Sequence, residues 1–565
     1  MPPNTRPLPG PKPLPLIGRV HDIPVESSWL KFYEWSKKYG PIYQTEMFGT
    51  VHVWISTERI ALDLLSRRAS NYSDRPQIPN LPDNRTSGHY LALSGRNDTW
   101  KRQRKLCQQL MSVSANASLY SYPKRERDRF LYLLSRDPSQ YREYVEQFTS
   151  RTVARLSWGS PHPAQLLRVT TSGLLETISP TGALPNAISW LMHIPNFISP
   201  WKQKEYARHK LEASLLKGSV QYVHDRISDG NAEPSFIHTF INKLSGQSVK
   251  SKWGDEAEAT YVVGQMAIAG ALTIGSPIQS FILAMLHYPE WQRKLQCEVD
   301  AVCEGRCPEW EDREKLPLLR AVMKETIRWR PPVPTEHVRL ITFRAITRDE
   351  SIYPDADNFN PARWLEPNYP TYKEPLTTYP NLNGFSQFGF GRRTCQGIPI
   401  VEQDLFLTMG GIAWAFNLRK KLREDGSEVP VHWNDYTPLL IAKPAPFEFD
   451  AAVRSALKEI ALRKMWESGK GEDDEEEERN QFLVQRWKEG SGDVEAEKTT
   501  LEGDIGSDRG SETSSSASLA RSFSTASTGS DSESGDGGSL RSASGHNLSS
   551  RQAMITTLAT AEPSA

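Results

Sequence analysis

Apolar residues recur at three- and four-residue spacing along most of the first 330 positions, the signature of amphipathic helices. The spacing predicts helices over 27–38, 58–68, 99–111, 127–135, 140–158, 204–229 and 290–303. Another, 317–330, is stopped by Pro331 and Pro332. Strict alternation is rare. PIYQTEMF and VHVWIS, within 41–56, read as a hairpin parted at Gly49–Thr50, and short strands are expected near 439–441 and 447–449. The stretch 397–416 reads as an apolar helix. The pattern therefore predicts a mainly α fold with a small β part, and no internal repeat.

One stretch, YVVGQMAIAGALTIGSPIQSFILAML (261–286), carries no charge and is long enough to cross a bilayer. Gln265, Gln279, Pro277 and three glycines interrupt it, and no basic bias flanks it. A helix buried in a large helical domain is the expectation, with no transmembrane helix in this chain.

The two ends differ from the body. RPLPGPKPLPLIGRV (6–20) is proline-rich and stiff, and is not a helix. GEDDEEEER (471–479) repels itself, and the residues after it are rich in Ser and Gly. From Trp466 onward there are 20 acidic and 9 basic residues, so the zero net charge of the whole chain hides a body of net +11. The expected organisation is a proline-rich hinge-like segment (1–24), one large domain (25–450), a helical extension (451–470) and a disordered acidic tail (471–565).

The five cysteines form no even framework and follow no secretory signal, so disulfides are not expected. Cys303 and Cys307 lack a second ligand pair at zinc spacing. Cys395 is different. It lies in FGFGRRTCQG (388–397), just ahead of the apolar helix, where the exposed N–H groups and the helix dipole stabilise a thiolate. Gly391 and Gly397 let a flat ligand approach the backbone, and Arg393 can balance a carboxylate. These are the demands of an iron–thiolate bond to haem.

The ten residues resemble the haem-binding signature of cytochrome P-450, with Phe388, Gly391, Arg393, Cys395 and Gly397 at the fixed positions. KETIR places Glu325 and Arg328 like the family's E-x-x-R pair, and NFNPARWL supplies Arg363 like its third member, a structural charge network. An ordinary surface salt bridge is the plainer reading of that pair alone. DTWKRQRKL places Trp100 and Arg104 as in the family's W-x-x-x-R helix, where both contact a haem propionate. YSDRP (72–76) is similar to fungal members. The resemblance runs from about Arg6 to Phe449 and implies a haem-thiolate monooxygenase, with Cys395 as the metal ligand and a single P-450-type domain. It also implies O2 and a small lipophilic substrate, and a separate NADPH-dependent flavoprotein reductase drawn to the basic body near Lys101, Arg102, Lys105, Arg392 and Arg393. The implied location is peripheral, at the cytosolic face of the endoplasmic reticulum with membrane-surface contact, the alternative being the soluble cytoplasm. No nucleic acid is expected as a partner.

Two departures matter. The family's central helix carries an acid beside its catalytic threonine; here the residues are Ala269, Gly270, Ala271, Leu272 and Thr273. The hydroxyl is present and the proton relay is not. The segment EHVRLITFRAITRDESIYPD is also too short to hold the family's usual β-hairpin. These departures leave open an alternative, a haem-binding protein with lost or altered chemistry: a peroxide-using enzyme or an inactive paralogue.

Overall fold

Prolines and caps set the helix boundaries. In the computed structural model, which describes residues 7–24, 26–114, 121–179, 184–244, 255–334, 341–471 and 474, the elements run α1 (Ser28–Tyr39), β1 (Ile42–Met47), β2 (Thr50–Ile55), α2 (Asp98–Ser114), α3 (Ser121–Arg136) and α4 (Tyr141–Trp158). Next are α5 (Ala164–Ile178), α6 (Pro200–Ser228), α7 (Glu256–Thr273), α8 (Gly275–His287), α9 (Pro289–Cys303) and α10 (Pro317–Trp329). Last come α11 (Ile398–Ala415), β3 (Phe416–Lys420), β4 (Phe449–Val453) and α12 (Ala456–Gly469). Helices α6, α9 and α10 each open with proline at the first position, where the missing N–H costs nothing. The side chain of Asp255 caps α7 by accepting from Glu258 N at 2.8 Å.

The chain divides into two units, Met1–Val484 and Gln485–Ala565. The second lies outside the described residues, and most of the expected tail lies there with it. Asp474 departs from that expectation: it is buried among arginines of the first unit.

Other expectations are corrected in detail. Helix α3 begins six residues earlier than the apolar spacing suggests, because Glu126, Arg127, Asp128 and Arg129 are buried within it and hide the period. Helix α5 was hidden by Val169, Thr170, Thr171 and Gly173, poor helix formers that packing overrides. Residues 439–441 form no strand. The final ribbon pairs β3 with β4 antiparallel, Phe416 opposite Val453 and Lys420 opposite Phe449. β1 and β2 form the expected hairpin, but about a Phe48–Gly49 turn with both φ positive, the geometry that matches strand twist. Beside it, Ile341 makes a single parallel bridge to Ile55, and a one-turn helix, Phe343–Ile346, comes directly after. The preceding residues 335–340, part of the short hairpin region, lie outside the described residues.

The uncharged stretch forms two helices in series, α7 and α8, with its most apolar part 78% buried inside the protein. It is a core element, not a span. The two helices meet at Ile274, so Pro277 falls in the first turn of α8 and is tolerated there. One apolar cluster packs α8, α9, α10 and α11 against α3; a second packs α2, α4, α6 and α7.

Asp404 of α11 is fully buried and neither carboxyl oxygen has a hydrogen-bond partner. Burial pushes its pKa well above the ordinary carboxylate value. Above about pH 4 the unfolded chain therefore gives up this proton while the native protein keeps it, so stability falls as pH rises from there toward the native pKa. Asp404→Asn is expected to remove that slope, unfolding about 1–3 kcal/mol less readily at pH 7 and no differently near pH 4. Urea denaturation at the two pH values checks this.

Candidate active site

The loop carrying Cys395 is shaped by its glycines. Gly391 sits at φ +57°, and a Cβ there would lie 2.0 Å from the Leu65 carbonyl oxygen. Only glycine fits both constraints. The Cys395 N–H donates to the Phe388 carbonyl at 2.8 Å, and the Thr394 hydroxyl donates to the Gly391 carbonyl at 2.8 Å, closing the loop on itself. Phe388 and Gly391 thus shape the backbone rather than line the site. A Cβ on Gly397 would stand 3.8 Å from Cys395 Sγ, so the sulfur lies over bare backbone immediately before α11.

The sulfur faces a cavity of about 210 Å³, open to solvent. It brings together six of the residues singled out by sequence: Trp100, Arg104, Thr273, Arg393, Cys395 and Gly397. Arg75, Arg104 and Arg393 line it, and among the described lining residues there is no carboxylate. Arg393 is clamped by the carbonyls of Ser73 and Ser94 at 2.9 and 2.8 Å, with its guanidinium 3.9 Å from the Trp100 ring. Arg104 donates to the Thr394 carbonyl at 2.8 Å, tying α2 to the cysteine loop. The Trp100 indole N–H is buried without a hydrogen-bond partner.

This donor set fits haem. A cavity with three guanidinium groups, a buried, unsatisfied indole N–H and no acid among its described lining residues calls for carboxylates, which haem's propionates supply. A second cysteine, Cys107, also lines the cavity, but burial within α2 pushes its thiol up to about 12, so it stays protonated.

On the opposite wall, α7 presents Gln265, Ala269, Gly270 and Thr273. The Thr273 hydroxyl donates back to the Ala269 carbonyl at 2.9 Å. Its own carbonyl stands four residues before Pro277, which has no N–H to give it. Leu272 turns away into the second apolar cluster.

Glu325, Arg328 and Arg363 lie apart from the cavity, with side chains 0% exposed. Arg328 meets Glu325 with two bonds of 2.8 Å, and Arg363 reaches the same carboxylate at 3.1 Å. Arg328 also donates to the carbonyls of Thr347, Ala356 and Asn358. Trp364, bonded to Glu325 at 3.1 Å, packs edge-on against Phe385, just ahead of the cysteine loop. The buried geometry excludes the surface salt bridge as a reading of this pair.

Among the polar lining residues that sequence reasoning missed are Arg75, Gln265 and Ser157. Arg75 had a signal in YSDRP. Gln265 and Ser157, buried with polar atoms lacking hydrogen-bond partners, had none that distinguishes them from ordinary core polar groups.

The profile of the family described as Cytochrome P450 matches residues 8–343 and 340–449, in two parts that meet at the short hairpin region. The chain is similar to cytochrome P450 monooxygenase virE of Hypocrea virens, 28% identical over 82% of this chain and 88% of that protein. It is 30% identical to cytochrome P450 monooxygenase ple1 of Rhodocybe pseudopiperita, over 80% of this chain and 91% of that one. A zebrafish cytochrome P450 solved with abiraterone shares the fold, with TM-score 0.59 at 19% identity over 76% of this chain and all of that chain.

Glu325→Gln keeps the shape of the network and removes its only anion among these three residues. It is expected to cost about 3–5 kcal/mol, because Arg328 and Arg363 stay buried and charged. The shift in urea midpoint at unchanged slope measures it.

Proposed function

The chain belongs to the cytochrome P450 family of monooxygenases, and from that membership we propose that Cys395 is the thiolate ligand of its haem iron and that it oxygenates an apolar small molecule. The observation that carries this reading is the position of Cys395 on a cavity wall whose described residues include three arginines and no acid. Arg75, Arg393 and the Trp100 indole N–H would hold the propionates, with Arg104 fixing the loop behind them. When bound, thiolate-ligated haem supplies activation of O2.

The chain's own residues do the rest. Gly397 and the loop carbonyls keep side chains away from the sulfur. Thr273 offers a hydroxyl to order water opposite Cys395, beside a carbonyl left open by Pro277. Leu272 takes no part in moving protons, since it packs into the apolar cluster. The rest of the cavity wall is mostly aliphatic or aromatic, including Leu91, Val153, Leu156, Phe236 and Ile400, which suits a lipophilic substrate. Gln265 and Ser157 supply the few polar groups that would orient it.

The family implies a reductase partner. Of the basic residues expected to meet it, Arg393 is buried, Arg102 is bound by Glu258 at 2.8 and 3.0 Å, and Lys101 pairs with Asp98 at 2.7 Å. Arg392 is exposed within the cysteine loop and is the better docking charge.

Reduced protein exposed to carbon monoxide is expected to show a strongly red-shifted Soret band, retained by Cys107→Ala and moved to the position of ordinary haem–CO by Cys395→Ala. A band that moves in Cys107→Ala instead would overturn the ligand assignment. With a flavoprotein reductase and NADPH, Leu272→Asp is expected to raise product formed per NADPH consumed; an unchanged ratio would mean that Leu272 does not limit proton supply.

A further inference from the structure

Helix α4 has two faces with different partners. Val153, Leu156 and Ser157 line the cavity. Arg151 and Arg155, roughly half a turn round the helix, point the other way and have side chains 1% and 2% exposed. Glu126 of α3 accepts from Arg151 Nε at 2.7 Å and from Arg155 Nε at 2.5 Å. The second carboxylate comes from far along the chain. Asp474, 2% exposed, accepts from Arg155 Nη2 at 2.7 Å, from Arg151 Nη2 and from Arg125 Nη2. The Gly471 N–H donates to it at 3.1 Å.

This contact is not part of the matched family region, which ends at residue 449. It also lies in an acidic run that self-repulsion would otherwise keep in water. What brings Asp474 inside is charge: arginine does not surrender its proton, and guanidinium groups buried this deeply require anions. Helix α12 delivers the residue, packing Leu462 into the main core and Trp466 against the Arg129 guanidinium at 5.9 Å.

We propose that Arg125, Arg151 and Arg155 form a carboxylate-binding site whose occupant is the chain's own Asp474, and that this docking fixes α4 and the cavity wall it carries. The site acts on the cavity by positioning α4, since no atom of it faces the cavity. Losing Asp474 removes one carboxylate from three guanidinium groups and leaves a recess that accepts another oxyanion.

The test uses the full chain with Asp474→Asn and, for size, Asp474→Ala. Thermal unfolding in sodium chloride is expected to come at least about 2 °C earlier than for the wild type. Inorganic phosphate at matched ionic strength should restore most of that loss in a saturable way and move the wild type little. A midpoint unchanged in both variants, or a loss that chloride restores equally well, would overturn the site. The effect on α4 is read from imidazole titrated into the haem-loaded protein by absorption. Asp474→Asn should bind it at least about threefold more weakly, and equal affinity would overturn the link to the cavity. The phosphate measurement needs no haem, so its failure is distinct from failure of the haem-thiolate reading on which the titration rests.

Discussion

The carboxylate of Glu325 organises the part of the molecule with least regular structure. Between α10 and α11 the described chain makes only short turns of helix, and its backbone polar groups find few ladder partners. Arg328 and Arg363 act as substitutes, donating to carbonyls from Thr347 to Asn358 while both are held by one buried anion. The Asn360 N–H and the Trp364 indole close on the same two oxygens. A buried ion pair is weak evidence for stability in itself, but as a scaffold for backbone carbonyls it gives an irregular segment one geometry. Trp364 then passes that geometry to Phe385 and the cysteine loop.

A similar logic, with opposite sign, shapes the cavity. Backbone carbonyls help to hold its arginines in place: those of Ser73 and Ser94 hold Arg393, and that of Thr394 holds Arg104. Neutral acceptors orient a guanidinium without neutralising it, so the field that attracts a bound group's carboxylates is kept. The same chain thus contains one arginine cluster met by carboxylates from within, around Glu126 and Asp474, and another on a cavity whose described lining residues include no acid.

Much of this was legible in the residues. Helices with clean periodicity, such as α9 and α10, were found to within a residue or two because one face is apolar and proline marks the start. Where charges are buried, the period failed: α3 hides its first turns behind Glu126 and Arg127. β3 was invisible because apolar residues run on from α11 without a break. Fixed-spacing motifs gave Cys395 and its neighbours, since glycine and cysteine have few substitutes at such positions. Gln265, Ser157 and Asp474 could not be read, because their roles depend on which atoms fold around them and not on local pattern. Asp474 is the sharpest instance: one acid among seven in its run, distinguished only by arginines 319 or more residues away.

The wall of the cavity also holds no histidine among its described lining residues. Guanidinium groups do not give up protons in ordinary solution, and Cys107 keeps its own up to about 12. Apart from the candidate ligand Cys395, none of the described lining side chains can release and recover a proton in the ordinary range. On the proposed reading, a proton reaches the site along water and the Thr273 hydroxyl. Such a wire has no titration midpoint of its own; the exchange of H2O for D2O slows it where a change of buffer would not.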